Sequence, residues 1–135
     1  MNNQPKFKAW DTKTKRWIRH VALDKFGYVS AYLDESTEHI SEQLSPNSRI
    51  RIVFAIGHED KNSVEIYEGS VVDYPPAVEQ GFEGLRKNVV EWSDFYTGFR
   101  LSRYSAAAYF YHECEVLGHI FEREDLQKEL QYELS

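Results

Sequence analysis

The run Val64-Glu65-Ile66-Tyr67-Glu68-Gly69-Ser70-Val71-Val72-Asp73-Tyr74 decides how this chain folds. Two strand-like segments, Val64 to Tyr67 and Val71 to Tyr74, meet at Glu68-Gly69, where glycine alone takes a positive φ without strain. The run predicts a bulged or sharply bent strand of the kind that closes a small β-barrel. No catalytic or ligand-binding motif accompanies it, which makes its expected role architectural.

Upstream, Arg49 to Ile56 is the cleanest strand pattern, with Ile50, Ile52, Phe54 and Ile56 on one face and Arg49 and Arg51 on the other. Gly57 then opens a polar turn, His58 to Ser63, so the two strands are expected to form an antiparallel hairpin. Downstream, Pro75, Pro76, Gly81 and Gly84 read as a long exposed loop. Its apolar residues Val78, Phe82 and Leu85 suggest that it lies on the body of the protein or meets a partner. Asn88 to Trp92 and Gly98 to Tyr104 predict a second hairpin around Ser93-Asp94. Ala106 to Tyr111 satisfies both helix and strand preferences. Cys114 to Phe121 reads as a closing strand, and Glu124 to Leu134 as a short helix with Leu126, Leu130 and Leu134 four residues apart.

At the amino-terminal end, Phe7 to Trp10 and Arg16 to Leu23 have strand spacing and flank a polar loop, Asp11 to Lys15. An antiparallel pair with Trp10 and Trp17 near its turn follows, and packing is the expected role of those two rings. Phe26 to Leu33 offers a third strand. Ser36 is placed to cap a short helix carrying Ile40 and Leu44 on one face, ahead of the loop Ser45-Pro46-Asn47-Ser48.

The 135 residues fit a single domain, 1–135, able to fold without disulfides or metal, with 34–48 and 75–86 as insertions. One cysteine, Cys114, excludes an internal disulfide and fits a reducing cytoplasm. Nothing near Met1 resembles a signal peptide, and no run approaches the roughly 20 apolar residues of a membrane span. A cytoplasmic protein without a membrane partner is expected. An aromatic content of 15% suits a core of Tyr, Phe and Trp on strands. The net charge of -6 opposes general duplex-DNA binding. That charge is uneven. Lys6, Lys8, Lys13, Lys15, Arg16 and Arg19 face only Asp11 within residues 1–19, whereas 113–135 is strongly acidic.

Several segments together resemble one family. Phe7-Lys8-Ala9-Trp10-Asp11 with Thr14-Lys15 is similar to the amino-terminal signature of the YopX proteins, which bacteriophages and prophages encode. The stretch 57–72, with Asp60-Lys61-Asn62, Glu65-Ile66-Tyr67-Glu68-Gly69 and Val71-Val72, resembles the family's central motif. Val89-Val90-Glu91-Trp92 and Glu115-Val116-Leu117-Gly118-His119-Ile120-Phe121-Glu122 match its two carboxy-terminal blocks. Two departures stand out: Ser63 where the family usually has glycine, and Ser70 where it usually has aspartate. The former puts the tight positive-φ turn in doubt unless Asn62 takes that conformation. The resemblance implies a mainly β, oligomeric protein of phage or prophage origin with no assigned activity, and it supplies no catalytic residues. Glu68 to Val72 also resembles the opening of small SH3-like barrels in nucleic-acid-binding modules.

The expected fold is therefore mainly β, antiparallel strands and hairpins in a small barrel-like domain, SH3-like in part, with a short C-terminal helix. His112, Cys114 and His119 are the best metal candidates, but strict strand alternation puts His119 on the face opposite the other two unless Gly118 is bulged. They read as a buried cysteine near two surface or capping histidines. Neither a nucleophile elbow, a glycosidase-type carboxylate pair nor a phosphate-cradling glycine loop is present. No catalytic residue, metal site or cofactor is expected. Gly69, Trp10, Trp17 and Tyr67 are assigned structural roles. The expectation is a non-enzymatic accessory protein, a homo-oligomer that binds a phage or host macromolecule, most reasonably a protein. The alternative is a nucleic-acid module that uses Lys6, Lys8, Trp10, Lys13, Lys15, Arg16 and Arg19.

Overall fold

Residues 6–32, 38–81, 83–94, 98–103 and 110–134 are described by the computed structural model. The chain is mainly antiparallel β, with a curled half-barrel sheet and a short C-terminal helix, as the sequence implies. It divides into two compact units, Lys6–Val53 and Phe54–Leu134, and each buries its own apolar clusters.

In the first unit, β1 (Phe7–Asp11) and β2 (Arg16–Ile18) form the expected hairpin, with Trp10 directly opposite Trp17. The longer strand expected from Arg16 to Leu23 is interrupted at Arg19. Beyond it β3 (His20–Leu23) pairs instead with β4 (Tyr28–Tyr32). The helix expected around Ile40 and Leu44 is a strand, β5 (His39–Gln43), paired with β4 from Tyr28↔Gln43 to Tyr32↔His39. Its proposed cap, Ser36, lies outside the described residues. A spacing of four is even, so it keeps two side chains on one face of a strand as well as of a helix. Ile40 and Leu44 accordingly pack on the cluster of Ala9, Ile18, Val29, Ala31 and Ile50.

The boundary between the units falls within β6 (Ile50–Glu59). The uniform alternation expected there fails: Ile50 and Val53 are buried, while Phe54 is 37% exposed. Ile50 and Ile52 belong to the first unit's cluster and Ile56 packs on one of the second unit's. Gly57 does not open the turn. With φ +87° it sits inside the strand, where the register against β7 (Glu65–Tyr67) shifts between Ala55↔Tyr67 and Glu59↔Glu65. A positive φ suits a bulge that a side chain would strain. The turn starts at Asp60, whose Oδ1 accepts the N–H groups of Asn62 and Val64 at 2.8 and 2.9 Å. Ser63 itself, not Asn62, takes the left-handed conformation, with φ 63°.

The second unit centres on β8 (Ser70–Asp73). It lies between β9 (Lys87–Ser93) and β11 (Glu115–His119), and β10 (Gly98–Leu101) completes the order β10-β9-β8-β11. Both faces of the middle strands are covered. Val72 and Val90 join Ile66, Leu101 and Cys114 in one cluster, while Val71 and Val89 join Ile120 and Leu126 in another. Adjacent valines are what a strand buried on both sides requires. Leu126 comes from α2 (Glu124–Glu129), which ends before the expected Leu134 and leaves that side chain exposed. The expected loop after Tyr74 instead contains α1 (Pro76–Glu79) and a 3₁₀ turn, Glu83–Leu85. Proline is tolerated there because the first-turn N–H has no intrahelical acceptor. Of the ambiguous 106–111, residues 106–109 lie outside the described residues, and Phe110–His112 is a 3₁₀ turn.

Glu68-Gly69 makes the bend that the sequence implies, and it passes the chain from β7 to β8. Gly69 has φ +90°, and a Cβ there would sit 2.5 Å from both Cε1 and Nε2 of His119. Two separate costs therefore oppose a side chain at this position, backbone strain and steric overlap. Gly69→Ala is expected to cost about 2–4 kcal/mol. In a His119→Ala background the overlap is gone and the same substitution should cost measurably less. Denaturant unfolding of the four proteins in this cycle checks the coupling, and an equal penalty in both backgrounds would refute the steric part.

Candidate functional site

The residues considered for function fall into three groups, and their surroundings differ sharply. The basic hairpin is built around Asp11. This carboxylate is 1% exposed; it accepts the Lys13 N–H at 3.0 Å and the Thr14 hydroxyl at 2.9 Å, and so shapes the turn. Arg49 grips the same carboxylate through Nε (2.8 Å) and Nη2 (3.0 Å). Burial pushes the Asp11 carboxyl up, but the hydrogen bonds from Arg49, Thr14 and Lys13 outweigh it and bring the pKa down to about 2. The sequence alone gave no reason to pair Asp11 with a residue 38 positions away.

Around this anchor Lys6, Lys8, Lys13, Lys15, Arg16 and Arg19 are all exposed. The two tryptophans meet edge to face at 4.9 Å between ring centroids. Trp10 is 6% exposed and so is a packing residue, its ring inaccessible to a stacked base. Trp17 is half-buried, and Lys8 Nζ lies 5.2 Å from its ring centroid.

On the same unit, the sheet β3-β4-β5 alternates regularly, and its outer face is laid out by register. His20, Tyr32 and His39 form one row, Ala22, Ser30 and Ser41 the next, and Tyr28 and Gln43 the third. No side chain in these rows carries a fixed charge. Tyr32 is 57% exposed, Tyr28 49%, and Phe26, in the β3–β4 turn, 70%. Ser30 Oγ and His39 Nε2 are 2.7 Å apart, and the His39 ring lies 4.7 Å from that of Tyr32. The charged residues Arg19, Asp24, Lys25 and Glu38 sit beyond the strand ends. The sequence marked β3 and β4 as structure only and read β5 as a helix, so it gave no sign of this sheet face.

The metal candidates separate. Register shifts by one residue between Val116 and Gly118, and this bulge returns His119 to the face of Val116, where it is buried opposite Ser70. Its Nδ1 accepts the Phe121 N–H at 3.2 Å, which leaves the proton on Nε2 to donate to the Glu68 carbonyl at 2.8 Å. His112 is exposed, and among the described residues no group of three or more His, Cys, Asp and Glu side chains is arranged to hold a metal. Cys114 is fully buried; burial first, and then the Asp60 carboxylate, push its thiol up to about 12. Asp60 in turn ties the β6–β7 turn to β11 through Oδ2 and the Val116 N–H, 2.7 Å apart. Tyr67, assigned a structural role, is half-buried, and its N–H donates to Ser70 Oγ at 2.9 Å.

Residues 6–127 match the sequence profile of the YopX protein family. The chain belongs to the YopX family. None of the curated proteins matches it in sequence. Among solved structures, the crystal structure of protein EF1440 from Enterococcus faecalis is similar, with a TM-score of 0.59 and 21% identity. The match covers 93% of this chain and 99% of that one, and at this identity the likeness concerns the fold. The YopX match spans both compact units. Among the described residues, no helix is long and apolar enough to cross a membrane.

Two outcomes follow from these surroundings. The Asp11 pKa is lowered on folding, so its contribution is present above the unfolded value near 4 and lost as pH falls from there towards 2. About 2 kcal/mol of stability should disappear over that window; thermal melts of the native protein and Asp11→Asn check it, the variant showing the shallower acid loss. Cys114 should resist alkylation at pH 8, where only roughly one part in 10,000 is thiolate, and should react at the rate of a free thiol once denaturant unfolds the chain.

Proposed function

We propose that this YopX-family protein acts by binding another protein, of phage or host origin, and not by catalysis. The observation that carries the reading is the outer face of β3-β4-β5, an uncharged sheet surface with Tyr28, Tyr32 and Phe26 exposed on or beside it. Protein interfaces concentrate aromatic residues and exclude charge at their centres, with charged groups at the rim, and the arrangement here follows that pattern. Tyrosine also presents a large, stiff contact area at low conformational cost. Self-association is part of the proposal, since an uncharged sheet face equally suits a second copy of the chain.

The alternative, a nucleic-acid module, draws on the exposed cations of the β1–β2 hairpin. It is the weaker reading because Trp10 is unavailable for stacking and the aromatic sheet face lacks the lysines and arginines that phosphates need.

Replacing Tyr28 and Tyr32 together by Ser removes aromatic area without touching the buried face of β4. The native protein, used as bait in infected or prophage-induced cells, should retain a protein that this variant loses, while both unfold at the same temperature. Retention of the same proteins by both would refute the assignment of this face. Light scattering over a dilution series tests self-association, and monomer throughout would remove that part. Binding of single-stranded DNA or RNA at low salt, abolished by Lys13→Glu with Arg16→Glu, would favour the alternative.

A further inference from the structure

The second unit carries an open cleft of about 610 Å³ whose lining includes Arg86, Lys87, Arg103, Leu117 and Leu130. We propose that it binds a small organic anion, with a phosphate or carboxylate held at Arg103 and an apolar body against Leu117 and Leu130.

Charge accounting within the cleft is the first argument. Arg86 is engaged by Asp73 through two hydrogen bonds, Nε to Oδ1 at 3.0 Å and Nη2 to Oδ2 at 2.8 Å. Lys87 is engaged by Glu129 at 2.9 and 3.0 Å. No carboxylate among the described residues reaches Arg103, whose guanidinium donates from Nη1 to the Gly84 carbonyl. The lining therefore keeps one positive charge in excess, on the side chain whose planar fork of donors best fits an oxyanion. The Lys87–Glu129 pair is well exposed, with side chains 41% and 51% accessible, so its opening to let Lys87 turn onto an anion costs little.

Arg103 is also held in place from behind. Asn88, fully buried on β9, accepts the Arg103 N–H at 2.9 Å and donates to the Leu85 carbonyl at 2.6 Å. The adjacent Ser102 exchanges hydrogen bonds with Val89: its N–H donates to the Val89 carbonyl, and its Oγ accepts the Val89 N–H, both at 2.9 Å. A buried amide that fixes the backbone of two segments lining a cleft gives a site defined geometry. The volume falls within the roughly 300–1,000 Å³ of small-molecule sites, and it exceeds the needs of a lone inorganic ion.

Titration followed by amide NMR, with AMP, N-acetylleucine, inorganic phosphate and adenosine as probes, tests this. AMP or N-acetylleucine should shift the resonances of Lys87, Arg103, Leu117 and Leu130, the two probes distinguishing a phosphate head from a carboxylate. Inorganic phosphate should bind more weakly, adenosine should not bind, and affinity should fall with added salt. Arg103→Gln should weaken binding by about tenfold or more. Gly84→Leu should do the same by filling the cleft, since a Cβ at Gly84 meets nothing within 4 Å and leaves the fold undisturbed. The proposal is overturned if neither anion shifts these residues, if adenosine binds as well as AMP, or if either variant binds as tightly as the native protein.

Discussion

The peptide groups of Glu68 and Gly69 are the constraint on which the second unit depends. Glu68 donates to the Phe54 carbonyl at 2.9 Å and accepts from His119 Nε2 at 2.8 Å. Gly69 donates to the Val90 carbonyl at 2.7 Å and accepts from the Ile120 N–H at 2.9 Å. All four backbone groups of these two consecutive residues are thus satisfied by partners on separate stretches of chain: the Phe54 carbonyl of β6, the Val90 carbonyl of β9, and the His119 imidazole and Ile120 N–H at the end of β11. Each bond fixes the approach of one neighbour, and together they leave no room for a Cβ at Gly69. A buried backbone group left unpaired costs more than a made bond returns, so this arrangement tolerates little displacement.

From that joint the chain enters β8, and the physical roles of the blocks that resemble the family become plain. Val71-Val72 and Val89-Val90 sit on adjacent central strands, and each pair sends one side chain to either core. The block from Glu115 to Glu122 supplies the outer strand, the bulge and His119, which closes over Gly69. Asp60 binds the turn of the central motif to the same strand. Ser70 uses its hydroxyl to accept the Tyr67 N–H, so the bend has a side-chain acceptor without a buried charge. These motif residues are accounted for by folding. The surfaces proposed for binding lie elsewhere, on the outer face of β3-β4-β5 and in the cleft around Arg103.

Legibility tracked the range of the interaction. The hairpins β1–β2, β6–β7 and β9–β10 were readable because alternation and turn residues lie close together in the chain. The segment of Ile40 and Leu44 was not, because an even spacing fits strand and helix alike, and only pairing with β4 decides between them. Strict alternation puts His119 on the face opposite Cys114, and a bulge one residue long, which inverts every later assignment of face, returns it to the other. Asp11 looked like an ordinary turn residue, and its burial is matched by Arg49, which arrives from the bend just before β6. Arg103 carried no signal at all, since a cation gains significance from what fails to neutralise it.

What the sequence determined by itself was the class of structure, mainly antiparallel β, and the position of its sharpest bend. Both follow from local rules: the two-residue period of strands and the freedom of glycine at positive φ. Tertiary structure alone decided which face of each strand is buried, where the register slips, and which charges are paired. Those outcomes depend on groups far apart in the chain meeting at distances of about 3 Å, and local residue patterns do not specify such meetings. The bend at Gly69 belongs to both accounts, since glycine announced it and the imidazole of His119 made it obligatory.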